Sequence, residues 1–216
     1  MTDSGRLRAA LRLIVITDPA LAAPRPVEWV VEEALKAGAR AIQLREKGAS
    51  ARELLARGRA LRELTRAHDA LLFVNDRFDL ALAVEADGVH LGPHDLPVEA
   101  VRKVAPEGFL IGHSTDRVEV AREAVEAGAD YIGCGTVLPT PTKKDAGDAI
   151  GIDGLERVAR EVTVPVVGIG GITPLVARDI AERSRAAGVA VIGAVMAAPD
   201  PGAVVRALLA PFQSRP

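Results

Sequence analysis

Cysteine is nearly absent: Cys134 is the one thiol in the chain. That excludes an intramolecular disulfide framework and any Cys-rich metal site. Aromatic residues make up only 3 %. The core must therefore be built from Val, Ile, Leu and Ala, a composition that suits parallel strands covered by helices. An excess of one charge is also missing. The formal net charge is -2 and no long basic run occurs, which argues against a phosphate-neutralising nucleic-acid surface. No apolar run approaches the length of a membrane span. The first residues carry Arg6, Arg8 and Arg12 but no continuous apolar stretch of the signal-peptide kind. The cytoplasm is the expected location, with neither membrane nor nucleic acid as partner. His94 and His113 lack HExxH-type spacing, no Ser/His/Asp or Cys/His constellation stands out, and no Gly-x-Gly-x-x-Gly follows the first apolar run.

What is present is an alternation. Short β-branched runs at residues 12–17, 41–44, 71–75, 88–91, 110–112, 131–134, 165–169 and 189–192 read as strands. Amphipathic stretches at 27–37, 51–67, 78–84, 98–104, 118–127, 152–161, 174–187 and about 202–209 read as helices. Ser50, Thr173-Pro174 and Asp95-Leu96-Pro97 are cap-like helix starts. One phrase recurs where helix hands over to strand: Ala37-Gly38-Ala39-Arg40, Glu85-Ala86-Asp87-Gly88, Ala127-Gly128-Ala129-Asp130 and Ala187-Gly188-Val189-Ala190. Its Gly suits a left-handed helix end followed by a short αβ loop. Repetition of this unit over 216 residues predicts a single-domain (β/α)8 TIM barrel spanning 1–216, compact at about 27 residues per unit. Residues 1–10 and 211–216 are expected to be flexible ends. The helix surfaces mix Ala and Arg without an obvious seam, which leaves a homo-oligomer open.

Active sites of such barrels sit at the C-terminal ends of the strands. Those ends hold a concentrated set: Gln43, Arg45 and Lys47 after strand two; Asn75-Asp76 after three; Gly92-Pro93-His94-Asp95 after four; His113-Ser114-Thr115 after five; Gly135 through Asp145 after six; Gly168-Ile169-Gly170-Gly171 after seven; Ile192-Gly193-Ala194 after eight. Strand alternation places Gln43 and Arg45 on one face, with Lys47 just beyond. Taken singly, each has a plainer reading. Asn75-Asp76 and Asp95 suit helix caps. Arg45 and Lys47 can pair with Glu46 or Asp76. Gly170-Gly171 is a turn signal, the two histidines suit structural roles, and Asp145 and Asp148 suit a solvated loop. The sharper reading rests on their coincidence on one rim. Gly170-Gly171 before the Thr173-Pro174 helix start lets bare N–H groups and the helix dipole meet a phosphate. Arg45, Lys47 and Lys143 offer a second anion site beside Asp76 and Asp95. Two carboxylates among cations point to a Mg²⁺ ion that bridges them to phosphate oxygens. A non-catalytic phosphometabolite-binding barrel is the competing class; it needs the glycine turn but not the paired carboxylates.

The segments Gln43-Leu44-Arg45-Glu46-Lys47, Phe73-Val74-Asn75-Asp76, Ala86 to Gly92 with Asp95, Gly135 to Asp145 and Val167 to Ile172 together resemble the thiamine phosphate synthase (thiamine-phosphate pyrophosphorylase) family, along nearly the whole chain. The resemblance implies a transferase of thiamine biosynthesis with two small phosphorylated substrates. It couples 4-amino-2-methyl-5-hydroxymethylpyrimidine pyrophosphate with 4-methyl-5-(2-phosphoethyl)thiazole, giving thiamine phosphate and pyrophosphate by Mg²⁺-assisted dissociative displacement. By family pattern, Gln43, Arg45, Lys47 and Asn75 meet the pyrimidine and its pyrophosphate, and Ser114 and Lys143 contact the pyrophosphate. Asp76 and Asp95 hold one Mg²⁺. Thr140 and Thr142 line the thiazole side, and Gly171 with Ile192-Gly193 holds the thiazole phosphate. Arg45, Lys47, Ser114 and Lys143 form the implied catalytic set. The related thiazole tautomerases share the barrel but tend to lose the metal and pyrophosphate residues, which this chain keeps. Three positions depart from the family pattern: Gly193 stands where members often carry Ser, Asp116 where many carry His, and Ile14 where a tyrosine is common.

Overall fold

The computed structural model describes residues 3–140 and 148–213. The strands are β1 (Leu13–Ile16), β2 (Ala41–Leu44), β3 (Leu71–Asn75), β4 (Gly88–Leu91), β5 (Leu110–Ser114), β6 (Tyr131–Cys134), β7 (Val166–Ile169) and β8 (Gly188–Val191). The helices are α1 (Asp3–Ala10), α2 (Pro19–Ala22), α3 (Val27–Lys36), α4 (Ala51–Ala67), α5 (Phe78–Ala83), α6 (Val98–Val104), α7 (Val118–Glu126), α8 (Gly151–Glu161), α9 (Pro174–Arg183), α10 (Gly193–Met196) and α11 (Pro201–Gln213). All strand pairs are parallel and run in chain order, and β8 returns to β1 to close a (β/α)8 barrel. Closure leaves no sheet edge exposed.

Alternation sorts each strand into two sets. Ile42 and Leu44, Leu72 and Val74, and Val89 and Leu91 are completely or almost completely buried. They face the helical layer, where α3 supplies Val27, Val30, Val31, Ala34 and Leu35 at helical spacing. The inward set is not uniform. Gln43, Arg45, Asn75, His90, Ser114 and Tyr131 make a polar arc from β2 to β6, while Val167, Ile169, Ala190, Ile192, Ile14 and Ile16 make an aliphatic arc from β7 around to β1.

Several expected boundaries shift for local reasons. Residues 3–10 form α1, and Leu7, Ala10 and Leu11 pack on the core. The chain at 211–213 continues α11 and buries Phe212 to 1 % exposure. Helix α9 ends at Arg183 rather than Ala187. There Ser184 turns to an extended conformation, and its hydroxyl donates to the Ile180 carbonyl at 2.8 Å. Strand β5 extends two residues further than expected, which brings His113 and Ser114 into the sheet, with Ser114 in register with Gly133. The recurrent phrase also divides. Gly38 and Gly128 take left-handed helix-end conformations, but after α5 that role falls to Glu85 (φ 53°). Gly188 instead opens β8 where a Cβ would collide with Leu11 and Arg12 backbone.

Candidate active site

Gln43 and Arg45 project together from β2 into the barrel, at 3 % and 9 % exposure. Thr17, fully buried at the end of β1, fixes the Arg45 peptide from both sides. Its Oγ1 accepts from the Arg45 N–H at 2.9 Å and donates to the Arg45 carbonyl at 3.2 Å. Glu46 points the other way and accepts from Arg57 Nε at 2.9 Å, where Arg57 also meets Glu28. The pairing of Arg45 with Glu46 that the sequence left open therefore does not form. The Arg45 guanidinium makes no hydrogen bond among the described residues; its neighbour in charge is Asp76, which Lys47 also faces.

Asp76 and Asp95 come together. Asp76 sits in a left-handed conformation (φ 63°), uncommon outside glycine and concentrated at functional sites. Burial pushes its carboxyl up, the hydrogen bond to Asp95 and the charge of Asp95 push it further, to about 6, and Arg45 and Lys47 pull the other way. Asp76 keeps an open face to solvent. Neither carboxylate is a helix cap. The residue preceding α5 is Arg77 and that preceding α6 is Pro97, neither with a side-chain cap bond. Asp95 instead accepts from the Gly92 N–H at 2.7 Å, which folds the turn after β4 and aims the carboxylate at Asp76. Two carboxylates held this close share a proton or hold a cation.

A cavity of about 560 Å³ opens over the barrel mouth. Ser114, Thr140, Gly171, Ile192 and Gly193 line it, and Gly133, Ser114, Ile169 and Ile192 connect it to a smaller one of about 40 Å³ on the barrel axis, where Gln43, Arg45 and Asn75 lie. Gly170 (φ 101°) and Gly171 (φ 66°) form the turn after β7. A Cβ on Gly171 would stand 2.7 Å from Leu138 Cβ. Thr173 caps α9 by accepting from the Val176 N–H, and Pro174 follows as the first helical residue. The segment after β6 runs beside this turn through Val137 N–H to Ile169 O (2.9 Å) and Leu138 N–H to Gly170 O (3.1 Å). Its return leg is tied back by Ile150 N–H to Thr136 O and Gly151 N–H to Val137 O, so the loop is closed at its base. Arg25 holds the opposite wall: its guanidinium donates to the Met196 carbonyl at 2.7 Å and to that of Ala198, capping the short helix that Gly193 begins. Thr142 and Lys143 lie outside the described residues.

Over residues 13–195 the sequence matches the family described as thiamine monophosphate synthase. The chain belongs to that family. It is 50 % identical over 194 residues to the thiamine-phosphate synthase of Pyrococcus furiosus, covering 90 % of this chain and 91 % of that one. It is 49 % identical over 204 residues to that of Archaeoglobus fulgidus, covering 94 % of each. A solved thiamine phosphate pyrophosphorylase from Pyrococcus furiosus superimposes with a TM-score of 0.87 at 46 % identity, over 96 % of this chain and 98 % of that one. As a member of this synthase family the chain is an enzyme, a transferase.

The three positions expected from the sequence to depart from the family pattern line the site. Ile14 lines the axial cavity, and Asp116 and Gly193 line the larger one. His94 is exposed, while burial lowers the pKa of His113 against the opposing charge of Asp95. Burial pushes the Cys134 thiol up to about 12, so it is no nucleophile near neutral pH. Three residues of the site escaped the reading of strand ends. Thr17 was one. The others are His90 and Tyr131, inward on β4 and β6 one or more residues below the rim. The available signal was a polar residue on the inward face of a core strand. Among the described residues no helix is long and apolar enough to cross a membrane.

Proposed function

We propose that the chain joins 4-amino-2-methyl-5-hydroxymethylpyrimidine pyrophosphate to 4-methyl-5-(2-phosphoethyl)thiazole, releasing thiamine phosphate and pyrophosphate. The observation that carries this reading is a pair of anion-binding features on one rim. One is Arg45 and Lys47 beside the Asp76–Asp95 pair; the other is the Gly170-Gly171 turn before helix α9, which lines the cavity over the barrel mouth. Gln43 and Asn75 are assigned to the pyrimidine, and Arg45, Lys47, Ser114 and Lys143 to its pyrophosphate. Thr140 and Thr142 are assigned to the thiazole, and Gly171 with Ile192 and Gly193 to its phosphate.

The residues around Asp76 fit a hard divalent ion that takes few protein ligands. No group of three or more His, Cys, Asp or Glu side chains gathers among the described residues, and Mg²⁺ is commonly held by one or two carboxylates plus substrate phosphates. One Mg²⁺ on Asp76 and Asp95 would neutralise charge on the pyrophosphate oxygens.

The carbon–oxygen bond to the pyrophosphate breaks first, and the electron pair leaves with the oxygen. Arg45 and Lys47 stabilise the negative charge that grows there, with Arg45 held ready by Thr17 and by its lack of an internal partner. The electron-rich aminopyrimidine carries the positive charge left on the methylene carbon. The thiazole nitrogen then donates its lone pair to that carbon. No protein nucleophile or strong base takes part, in keeping with the inert Cys134. The aliphatic arc of Ile14, Ile16, Val167 and Ile169 keeps water from the cation.

Incubation with both substrates and Mg²⁺, followed by oxidation to fluorescent thiochrome, is expected to report thiamine phosphate. Absence of product at every metal concentration would overturn the reading, and would leave a thiazole tautomerase-like enzyme or a phosphometabolite-binding barrel.

A further inference from the structure

On the face opposite the mouth, the starts of β7, β8 and β1 frame a separate cavity of about 440 Å³. Four arginines line it. Arg8 comes from α1, Arg12 from just before β1, Arg160 from the last turn of α8, and Arg185 from the connection between α9 and β8. No acidic residue lines it among the described residues. The chain as a whole carries a net charge of -2, so this concentration of positive charge is local. Holding four like charges around one hollow costs stability through their mutual repulsion.

Ordinary pairing does not offset that repulsion. Arg8 and Arg12 make no ion pair and no side-chain hydrogen bond among the described residues. Arg160 and Arg185 share Glu156, whose Oε1 lies 3.9 Å from the Nε of each, beyond hydrogen-bond length. The other oxygen of Glu156 accepts from the Arg185 N–H at 2.6 Å. Glu156 therefore fixes the Arg185 backbone more than it neutralises a guanidinium. The Arg12 backbone is held in the same way, its carbonyl accepting from the Val189 N–H at 3.2 Å. A helix dipole favours cations in a last turn, which suits Arg8 and Arg160. Arg12 and Arg185 lie outside the helices, so the dipole does not account for them. The cavity under β3 to β6 shows the contrast. It is larger, about 820 Å³, but Arg6 and Arg102 share its lining with Glu85, Asp87, Glu107 and Asp130.

We propose that the arginine-lined cavity is a binding site for a nucleoside triphosphate or a similar ring-bearing polyphosphate, separate from the site at the mouth. Guanidinium groups match phosphate oxygens through paired N–H donors, and four of them suit a chain of phosphates better than a single one. The half-buried Val162 and Val164 supply an apolar floor on which the ring-bearing part of the ligand rests. The volume falls in the range of small-molecule sites, about 300–1,000 Å³. The proposal does not depend on the substrates assigned above.

Arginine modification of the full-length protein tests it residue by residue. Phenylglyoxal is applied in EDTA, alone or with ATP or inorganic tripolyphosphate, and the modified positions are mapped by peptide mass spectrometry. ATP is expected to slow modification of Arg8, Arg12 and Arg185 about tenfold. Arg122 and Arg183, which pair with Glu161 and Asp153 elsewhere on the surface, are expected to react at unchanged rates. Tripolyphosphate is expected to protect the same residues, but only at several-fold higher concentration, because it leaves the valine floor uncovered. No protection at these three positions, or equal slowing at every exposed arginine, would overturn the proposal. Equal protection by both anions would overturn the ring-bearing ligand. Arg12→Gln and Arg185→Gln are each expected to weaken ATP binding about tenfold by calorimetry, as loss of a charge-assisted phosphate contact does, with thiochrome turnover unchanged. Undiminished ATP affinity in both folded variants would equally overturn the site. Should either variant fail to fold, the protection map of the unmodified protein decides.

Discussion

Two regions of this barrel treat charge in opposite ways. At the end where strands begin, Arg62 grips Asp87 through both terminal nitrogens (2.6 and 3.2 Å), and Asp87 also accepts from the Leu72 N–H at 2.7 Å. Two units further on, Arg102 meets Asp130 at 2.5 Å, Asp130 accepts from the Ile111 N–H at 2.7 Å, and Arg102 also donates to the Phe109 and Gly128 carbonyls. In both of these pairs the charge is answered by the protein. At the end where strands finish, Arg45 has no hydrogen-bond partner for its guanidinium among the described residues, and two carboxylates face each other. A charge complementary to its neighbour stabilises the fold. A charge left uncompensated, or set against its like, is complementary to something that arrives. The rim gives up stability for that purpose, as functional sites in this fold commonly do.

The contrast can be broken by exchanging its predicted consequences. Arg45→Gln is expected to lower kcat/KM about 10²- to 10³-fold, as loss of a preorganised charge stabiliser does, with the melting temperature unchanged or slightly raised. A thiochrome assay beside a thermal melt checks both, and a large stability loss with intact turnover would invert the comparison. Gly171→Ala forces a left-handed backbone onto a residue with a Cβ and crowds Leu138. The KM for the thiazole phosphate is expected to rise roughly tenfold, about 1.4 kcal/mol, while the KM for the pyrimidine substrate stays put. Arg62→Ala at the opposite end is expected to cost about 1–3 kcal/mol of unfolding free energy by leaving Asp87 short of a partner, measured by urea denaturation, with kinetic constants unchanged.

The smallest expected effect concerns pH. Asp76 is raised to about 6 from 3.8, so the folded protein binds its proton more tightly than the unfolded chain does. That contribution to stability is fully present below about pH 4 and is lost as pH rises through about 6. Asp95→Asn removes the repulsion and is expected to raise the melting temperature at pH 8 by a few degrees but not at pH 4. Mg²⁺ is expected to stabilise the unmodified protein at pH 8, much less at pH 5, and Asp95→Asn at neither. Equal stabilisation at all pH values would remove the carboxylate pair from metal binding.

Much of this molecule was legible before folding. The strand periods, the Ser50 cap and the Thr173-Pro174 start stand where the pattern puts them. Gln43 and Arg45 share a face because side chains in a strand alternate. The local signals failed where a tertiary partner intervened. Asp95 looks like a cap in sequence, but its carboxylate is taken by the Gly92 N–H and turned toward Asp76. Glu85 takes a helix-end conformation that the phrase assigned to glycine. Asp87 and Asp130 read as loop residues until their arginines, 25 and 28 residues away, are brought to them.

The amino-acid sequence by itself determined the repeated βα unit, the barrel it closes, and which residue types crowd the strand ends, because hydrophobic period and glycine placement are local properties. Only the tertiary structure decided which of those residues meet. The Asp76–Asp95 pair joins β3 to the turn after β4, the Thr17 clamp on Arg45 joins β1 to β2, and the Tyr131–His90–Ser114 contacts link three strands inside the barrel. Such contacts depend on barrel closure and strand register, which bring together groups far apart in the chain and which no short window of sequence contains.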